Sequence, residues 1–232
     1  MSGTFITFEG IDGSGKSTQL RLLNNFLRQK GCNVVSTREP GGTTLGLRLR
    51  AALLDATEEV DPLTELLVFA ADRAQHVRRL LRPALAAGNV VISDRYADAT
   101  VAYQGAGRGF SEELIAEIVK LATDGLKPDL TLLFDVSVEE STARTTRRGS
   151  GRGASGKNQR DRLDIEAADF HVRVREAYLT IARNEPDRVK VIDTSGPVEA
   201  THERVKAILV PFLKRRGHLA NTPPLQVQLE KA

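Results

Sequence analysis

The apolar positions of the chain fall into two alternating patterns. Short continuous runs, Thr4-Phe5-Ile6-Thr7-Phe8, residues 33–36, Asn89-Val90-Val91-Ile92-Ser93, residues 130–136 and Val189-Lys190-Val191-Ile192-Asp193, read as five strands. Between them, apolar residues recur at helical spacing. Leu20, Leu22, Leu23, Phe26 and Leu27 mark a helix over 18–30 that Gly31 closes as a C-terminal cap. A short helix is expected over 45–54. A longer one opens with Asp61 as N-cap and Pro62 at the first helical position, and runs to Gly88. Its inward stripe is read as Leu63, Leu66, Leu67, Ala70, Ala74, Val77 and Leu81. Ser111 caps a helix over 112–123 that Gly125 closes, and Ser137 with Glu140 forms a capping box that opens another. Further helices are expected over 164–184 and from Pro197, with Pro211 kinking or ending the last.

Strands and helices alternate, and the strands are apolar throughout rather than on one face. That combination predicts an α/β protein of three layers, with a five-stranded, mostly parallel sheet covered by helices on both sides. One domain is expected over 1–216. The residues from about Gly217, including Thr222-Pro223-Pro224, show no periodicity and read as a disordered tail over 217–232.

Composition narrows the class only slightly. The 232 residues are 41% hydrophobic and 27% charged, as in an ordinary globular protein with one sizeable core. No apolar run is long enough for a membrane span, and the single Cys32, read as structural, suits a reducing compartment, so a cytoplasmic protein is expected. A net charge of +3 is too small to imply nucleic-acid binding by itself.

The first strand leads directly into Gly10-Ile11-Asp12-Gly13-Ser14-Gly15-Lys16-Ser17, followed by Thr18 and the first helix. This matches G-x-x-x-x-G-K-[ST] in the strand-to-helix context that gives the motif its meaning. The glycines let backbone N–H groups aim at phosphate oxygens, Lys16 reaches the β- and γ-phosphates, and Ser17 offers a hydroxyl to Mg²⁺. The Lys16 side chain is expected in a solvent-facing loop. The N-terminus of the helix adds a site for negative charge. A nucleoside triphosphate site of the P-loop NTPase type is therefore expected.

Two other strand ends carry charged groups to the same edge, where ligands of open α/β sheets bind. Thr37-Arg38-Glu39-Pro40-Gly41-Gly42-Thr43 follows the second strand, and Asp94-Arg95-Tyr96 the third. A carboxylate placed as Asp94 is can hold the Mg²⁺ shell, and Arg95 beside it can hold a phosphate. Arg38, Arg73 and Arg95 thus outline a second anion site facing the first. A donor and an acceptor phosphate, and phosphoryl transfer between nucleotides, follow from two such sites. No N-K-x-D guanine reader occurs, since Lys157-Asn158 has the order reversed, which argues against a switch GTPase.

From Arg144 to Arg162 the chain holds seven Lys or Arg and one acid, Asp161, among Gly and Ser. An arginine-bearing flexible lid over about 144–162 is expected there, with a basic nucleic-acid contact as the competing reading.

Together, Phe8-Glu9-Gly10 through Thr18, Arg38-Glu39-Pro40-Gly41-Gly42, Phe69-Ala70-Ala71-Asp72-Arg73, Ser93-Asp94-Arg95-Tyr96 and Ala102-Tyr103-Gln104-Gly105 make the chain resemble the bacterial thymidylate kinases over about residues 3–213. The resemblance implies transfer of the γ-phosphate of ATP to dTMP with Mg²⁺, and a homodimer. It implies ATP binding by residues 10–18, and dTMP binding by Asp12 at the 3′-hydroxyl, Arg38 and Arg95 at the phosphate, and Glu39 and Pro40 in the adjoining turn. It further implies that Phe69 stacks on the base, Arg73 reads O4, Thr100 lies at the polar edge, Tyr103 lies beneath the deoxyribose and Gln104 sits beside it. In this family a basic residue for the transferred phosphoryl comes from the phosphate loop or from the lid. Residues 11–14 hold none, so Arg148 or Arg152 is implicated, although the run from Ser150 to Gln159 looks like an insertion relative to shorter family lids. Other readings are another deoxynucleotide or deoxynucleoside kinase, and, in a different class, an ATP-dependent nucleic-acid-binding protein using the basic loop.

Overall fold

The computed structural model describes residues 3–150 and 168–220. Five strands, β1 (Thr4–Glu9), β2 (Val34–Arg38), β3 (Val90–Asp94), β4 (Leu130–Asp135) and β5 (Val189–Asp193), form one sheet in the order β2-β3-β1-β4-β5. Every pairing is parallel. Because each strand is followed by a crossover helix, all carboxyl ends point the same way.

Side chains of β1 alternate between two cores. Ile6 and Phe8 pack with Leu23 and Leu27 of α1 (Lys16–Gln29) and with Val205, Leu209 and Leu213 of α9 (Val198–Arg215). Phe5 faces the other side, beneath Val77 and Leu81. A third cluster joins Tyr103 to Phe170, Val174 and Tyr178 of α8 (Ala168–Asn184). The result is the three-layer arrangement expected from continuous strand runs.

The remaining helices start where local chemistry dictates. Thr43 accepts from Gly46 N–H and caps α2 (Thr44–Leu54). Asp61 accepts from Leu63 and Thr64 at the start of α3 (Pro62–His76), with Pro62 in the first turn. A π-helical stretch (Val77–Leu81) and α4 (Arg82–Ala86) continue α3 toward Gly88. After β3 come α5 (Ala97–Thr100), a second π-helical stretch (Val101–Gly107) and α6 (Glu112–Thr123), capped by Ser111. Ser137 caps α7 (Val138–Ser150), but Glu140 turns to Arg144 instead of completing a reciprocal box.

Three expectations need correction. Pro211 does not end α9, which continues to Arg215. The proline is exposed, as is Ala207 one turn earlier, so the freed carbonyl faces water while Leu209 and Leu213 hold the helix to the core. Residues just past Gly217 are packed, since Leu219 joins the core beside Cys32, whose thiol donates to His218 O at 3.1 Å. Residues 221–232 lie outside the described residues. Finally, Leu63 and Leu67 of α3 are exposed, at 47% and 48%, and the inward face carries Glu65, Leu66, Asp72, Arg73 and His76 instead. Hydrophobicity alone misplaced that face because its buried positions are polar.

Candidate active site

Strand register sets the frame. Arg38, Asp94 and Phe8 lie level across the neighbouring strands β2, β3 and β1, so the turns that follow these strands converge at one edge of the sheet. After β1 the chain must reverse tightly into α1. Gly10 (φ +131°) and Gly13 (φ +77°) take backbone conformations that L side chains avoid, and a Cβ there would meet Phe134 O at 2.3 Å and Ser141 O at 2.6 Å.

Lys16 is the correction in this loop. Instead of facing solvent its side chain is buried, with Nζ donating to Gly10 O at 2.8 Å, Ile11 O at 2.9 Å and Ser14 Oγ at 3.4 Å. Burial, aided by the nearby Arg95 charge, lowers its pKa. Ser17 Oγ donates to Asp94 Oδ2 at 3.2 Å. The other Asp94 oxygen, Oδ1, is buried without a hydrogen-bond partner among the described residues. A buried carboxylate oxygen left in this way beside a hydroxyl is a donor set that suits a hard divalent cation.

Arg95 occupies the left-handed region (φ +71°), held there by its N–H to Phe8 O at 2.9 Å and by the next N–H, of Tyr96, to Glu9 Oε1 at 2.7 Å. Its guanidinium donates to Asp12 Oδ1 at 2.7 Å and to the Tyr103 hydroxyl at 2.9 Å, and lies 4.5 Å from the centre of the Tyr103 ring. Tyr103 in turn donates to Asp12 Oδ2 at 3.2 Å. Burial alone would raise the Asp12 pKa, but Arg95 and Lys16 hold it well below the usual carboxylate range.

Arg73 is the second hub. Its Nε donates to Glu39 Oε2 at 2.7 Å, Nη1 to Thr100 Oγ1 at 2.8 Å and Nη2 to Tyr96 O at 2.9 Å. Glu39 also binds His76 Nδ1 at 2.8 Å. One N–H on each terminal nitrogen of Arg73 remains for a ligand. Asp72, buried beside Glu39, is pushed up to about 6, and its Oδ1 accepts the Gly41 N–H at 3.2 Å.

Two adjoining cavities result. Gly13, Gly15, Lys16, Ser17, Arg38 and Asp94 line one; Pro40, Phe69, Arg73, Thr100, Tyr103 and Gln104 line the other. Asp12, Glu39, Arg50 and Arg95 line both. A third cleft, between Thr18, Arg144, Thr194 and Gly196, opens on the far side of the phosphate loop. The structure thus brings Asp12, Arg38, Glu39, Pro40, Phe69, Arg73, Asp94, Arg95, Thr100, Tyr103 and Gln104 to one edge. Arg148 lies in the backbone of α7, and Arg152 lies outside the described residues.

Sequence reasoning missed Arg50, whose Nη1 donates to Pro40 O at 3.2 Å from inside α2, where no motif marks it. It also gave no role to Glu9. That carboxyl is fully buried, with Oε2 accepting from Tyr178 at 2.8 Å, and burial together with Asp98 pushes it up to about 7. The folded state therefore keeps a proton on Glu9 that the unfolded chain has released, so stability falls as pH rises from about 4.5 to about 7. Glu9→Gln retains both partners and removes that contribution. The variant's Tm should decline less than the parent's between pH 5 and 7.5; parallel melting curves would remove Glu9 as the group that holds the proton.

The chain is similar to known proteins over most of its length. The family model described as "Thymidylate kinase" matches residues 8–205. A thymidylate kinase of Desulfosudis oleivorans is 49% identical over 215 residues, covering 91% of this chain and 99% of that protein. One of Pelobacter propionicus is 48% identical over 218 residues, covering 93% and 98%. The crystal structure of thymidylate kinase from Ehrlichia chaffeensis superimposes with a TM-score of 0.71 at 36% identity, covering 90% of this chain and 99% of that one. This chain belongs to the thymidylate kinase family.

Proposed function

We propose that the chain transfers the γ-phosphate of ATP to dTMP, giving dTDP and ADP. One observation carries this reading beyond family membership: a phosphate-loop cavity and an aromatic, guanidinium-lined cavity share Asp12 and Arg95 as a common wall. A donor phosphate in the first and a nucleoside monophosphate in the second would meet across that wall, which is the positioning that phosphoryl transfer needs.

In this reading the backbone of residues 10–15 with Lys16, Ser17 and Thr18 holds the ATP phosphates. Arg38 and Arg95 hold the acceptor phosphate, Asp12 takes the 3′-hydroxyl, and Tyr103 fills the space beneath the deoxyribose. Phe69 stacks on thymine, Arg73 donates to O4, and Thr100 and Gln104 meet the remaining polar edge. Ser17 and Asp94 would hold Mg²⁺, and the unpartnered Asp94 oxygen supports that assignment. When bound there, the ion neutralises phosphate charge. Residues 144–162 serve as a lid, with Arg148 or Arg152 contributing to the transferred phosphoryl. The exposed Leu63, Leu67 and Leu121 support pairing of α3 and α6 with a second copy of the chain. No helix among the described residues is long and apolar enough to cross a membrane.

An ADP-release assay across nucleoside monophosphates tests the acceptor. A guanidinium only donates, so cytosine, with an amino group where thymine has O4, sets donor against donor in a desolvated pocket. At roughly 1–3 kcal/mol for an unpaired buried polar group, dCMP should be poorer by at least about tenfold to a hundredfold. dUMP keeps O4 and N3–H and lacks only one methyl against the Glu39-Pro40 turn, so it should lose only about tenfold, the low end for a single apolar contact. The claim is dTMP first in catalytic efficiency, with dUMP ahead of dCMP. Use of dCMP on a par with dTMP would mean that Arg73 does not read the base and that the acceptor site lies elsewhere.

A further inference from the structure

Glu65 is fully buried on α3, away from the phosphates, and no role described so far uses it. Its Oε1 accepts from Gln104 Nε2 at 3.0 Å and from Arg108 Nε at 3.2 Å, and its Oε2 accepts from Arg108 Nη2 at 3.2 Å. The Arg108 guanidinium lies 4.9 Å from the centre of the Phe170 ring, which ties the cluster to α8. Gln104 itself is 2% exposed and lines the cavity assigned to the acceptor base.

The chemistry of this contact is directional. An amide can present either oxygen or nitrogen to a neighbour, and similar shape alone does not choose between them. A carboxylate accepts and does not donate. Facing Glu65, the Gln104 amide must therefore turn its nitrogen inward, which leaves Oε1, an acceptor, for the cavity. Among the described residues that oxygen takes no protein hydrogen bond. Thymine offers a donor at ring N3–H, whereas cytosine offers an acceptor at N3.

From this arrangement we infer that Glu65 is a positioning residue for base choice: it fixes the orientation of the Gln104 amide so that the acceptor pocket takes a pyrimidine with a ring N–H and rejects one without. The π-helical stretch makes the device possible, because Tyr103 and Gln104, adjacent in sequence, are both buried there, one toward Arg95 and the other toward Glu65. The inference rests on the acceptor-site reading above, and adds to Arg73 at O4 a second check at N3.

Glu65→Gln keeps size and shape but lets both amides rotate. The ratio of kcat/KM for dTMP over dCMP should fall about 5- to 50-fold, through a rise in the dTMP KM with kcat within about threefold, because the base does not react. Gln104→Met should lower the same ratio, and adding Glu65→Gln to it should change the ratio no further, as expected for two residues that act as one unit. A role limited to stability would instead lower Tm and leave the ratio intact. An unchanged ratio in Glu65→Gln, with a lowered one in Gln104→Met, overturns the inference while leaving the acceptor site standing. An unchanged ratio in Gln104→Met overturns the placement of the base, and the inference with it. A crystal structure of the parent with dTMP tests the same point without variants. Gln104 Oε1 should lie within hydrogen-bond distance of N3 with Nε2 on Glu65, and an amide turned away from N3 refutes the assignment.

Discussion

Lys16→Met should lower turnover by about three orders of magnitude or more, with a circular dichroism spectrum like the parent's. The charge is needed where negative charge redistributes between the β- and γ-phosphates, and a preorganised cation there contributes more than any neutral side chain can. The structure adds a second consequence. Lys16 Nζ donates to the carbonyls of Gly10 and Ile11, so the buried ammonium also holds the curve of the loop. Methionine keeps the aliphatic stem but leaves those carbonyls without this donor, at a cost of about 1–3 kcal/mol in stability. A lower Tm together with the loss of turnover is therefore expected. Each tenfold in rate corresponds to about 1.4 kcal/mol, so a loss smaller than tenfold would remove Lys16 from the transition state and the phosphate-loop assignment with it.

The fold was legible wherever the chain obeyed one period. The strands ending near Glu9, Asp94, Asp135 and Asp193 are apolar runs followed by turn chemistry, and their parallel order follows from the helices between them. The helix caps at Asp61 and Ser111 are set by a single side chain and its nearest N–H groups, or by a flanking proline, so they too could be read locally. What escaped were features decided by distant neighbours. The π-helical stretch Val101–Gly107 has neither a strand nor an α-helical period, and it packs closely because Gly107 lacks the Cβ that would meet Phe170 at 2.6 Å. The inward face of α3 is polar because Glu65, Asp72, Arg73 and His76 find partners on β2, on the π-helical stretch and on the turns after β2 and β3, which no window of one helix can reveal. The site residues carried by motifs meet at one edge for a simple reason: each motif ends a strand or faces one that does. Arg50 and Glu9 needed the three-dimensional structure, since one sits within an ordinary helix and the other is the last residue of a buried strand.

The turn of the phosphate loop, residues 11–14, contains no basic side chain, so the charge that develops on the transferred phosphoryl lacks a partner from within that turn. The base of α7 is tied directly to the loop: Ser141 Oγ donates to Asp12 O, and Arg144 donates to Gly13 O at 3.4 Å and to Thr194 O at 2.7 Å. These contacts occupy Arg144 with the protein itself, bridging the loop and the turn after β5. Arg148 follows four residues later in the backbone of the same helix, about 6 Å further along it from that anchor, and Arg152 follows in turn along the chain. An arginine supplied to a phosphoryl transition state contributes on the order of 10³-fold or more in turnover. Single Arg148→Ala and Arg152→Ala variants should therefore separate. One of them should lose turnover by about that factor with the dTMP KM changed only a few-fold, because the interaction is made chiefly in the transition state. Arg144→Ala should behave differently, lowering Tm through the lost contacts to Gly13 and Thr194. Small and equal losses across Arg147, Arg148, Arg152 and Arg160 would show that the basic stretch only attracts phosphate at long range, and would return the transition-state charge to Lys16, Arg38 and Arg95.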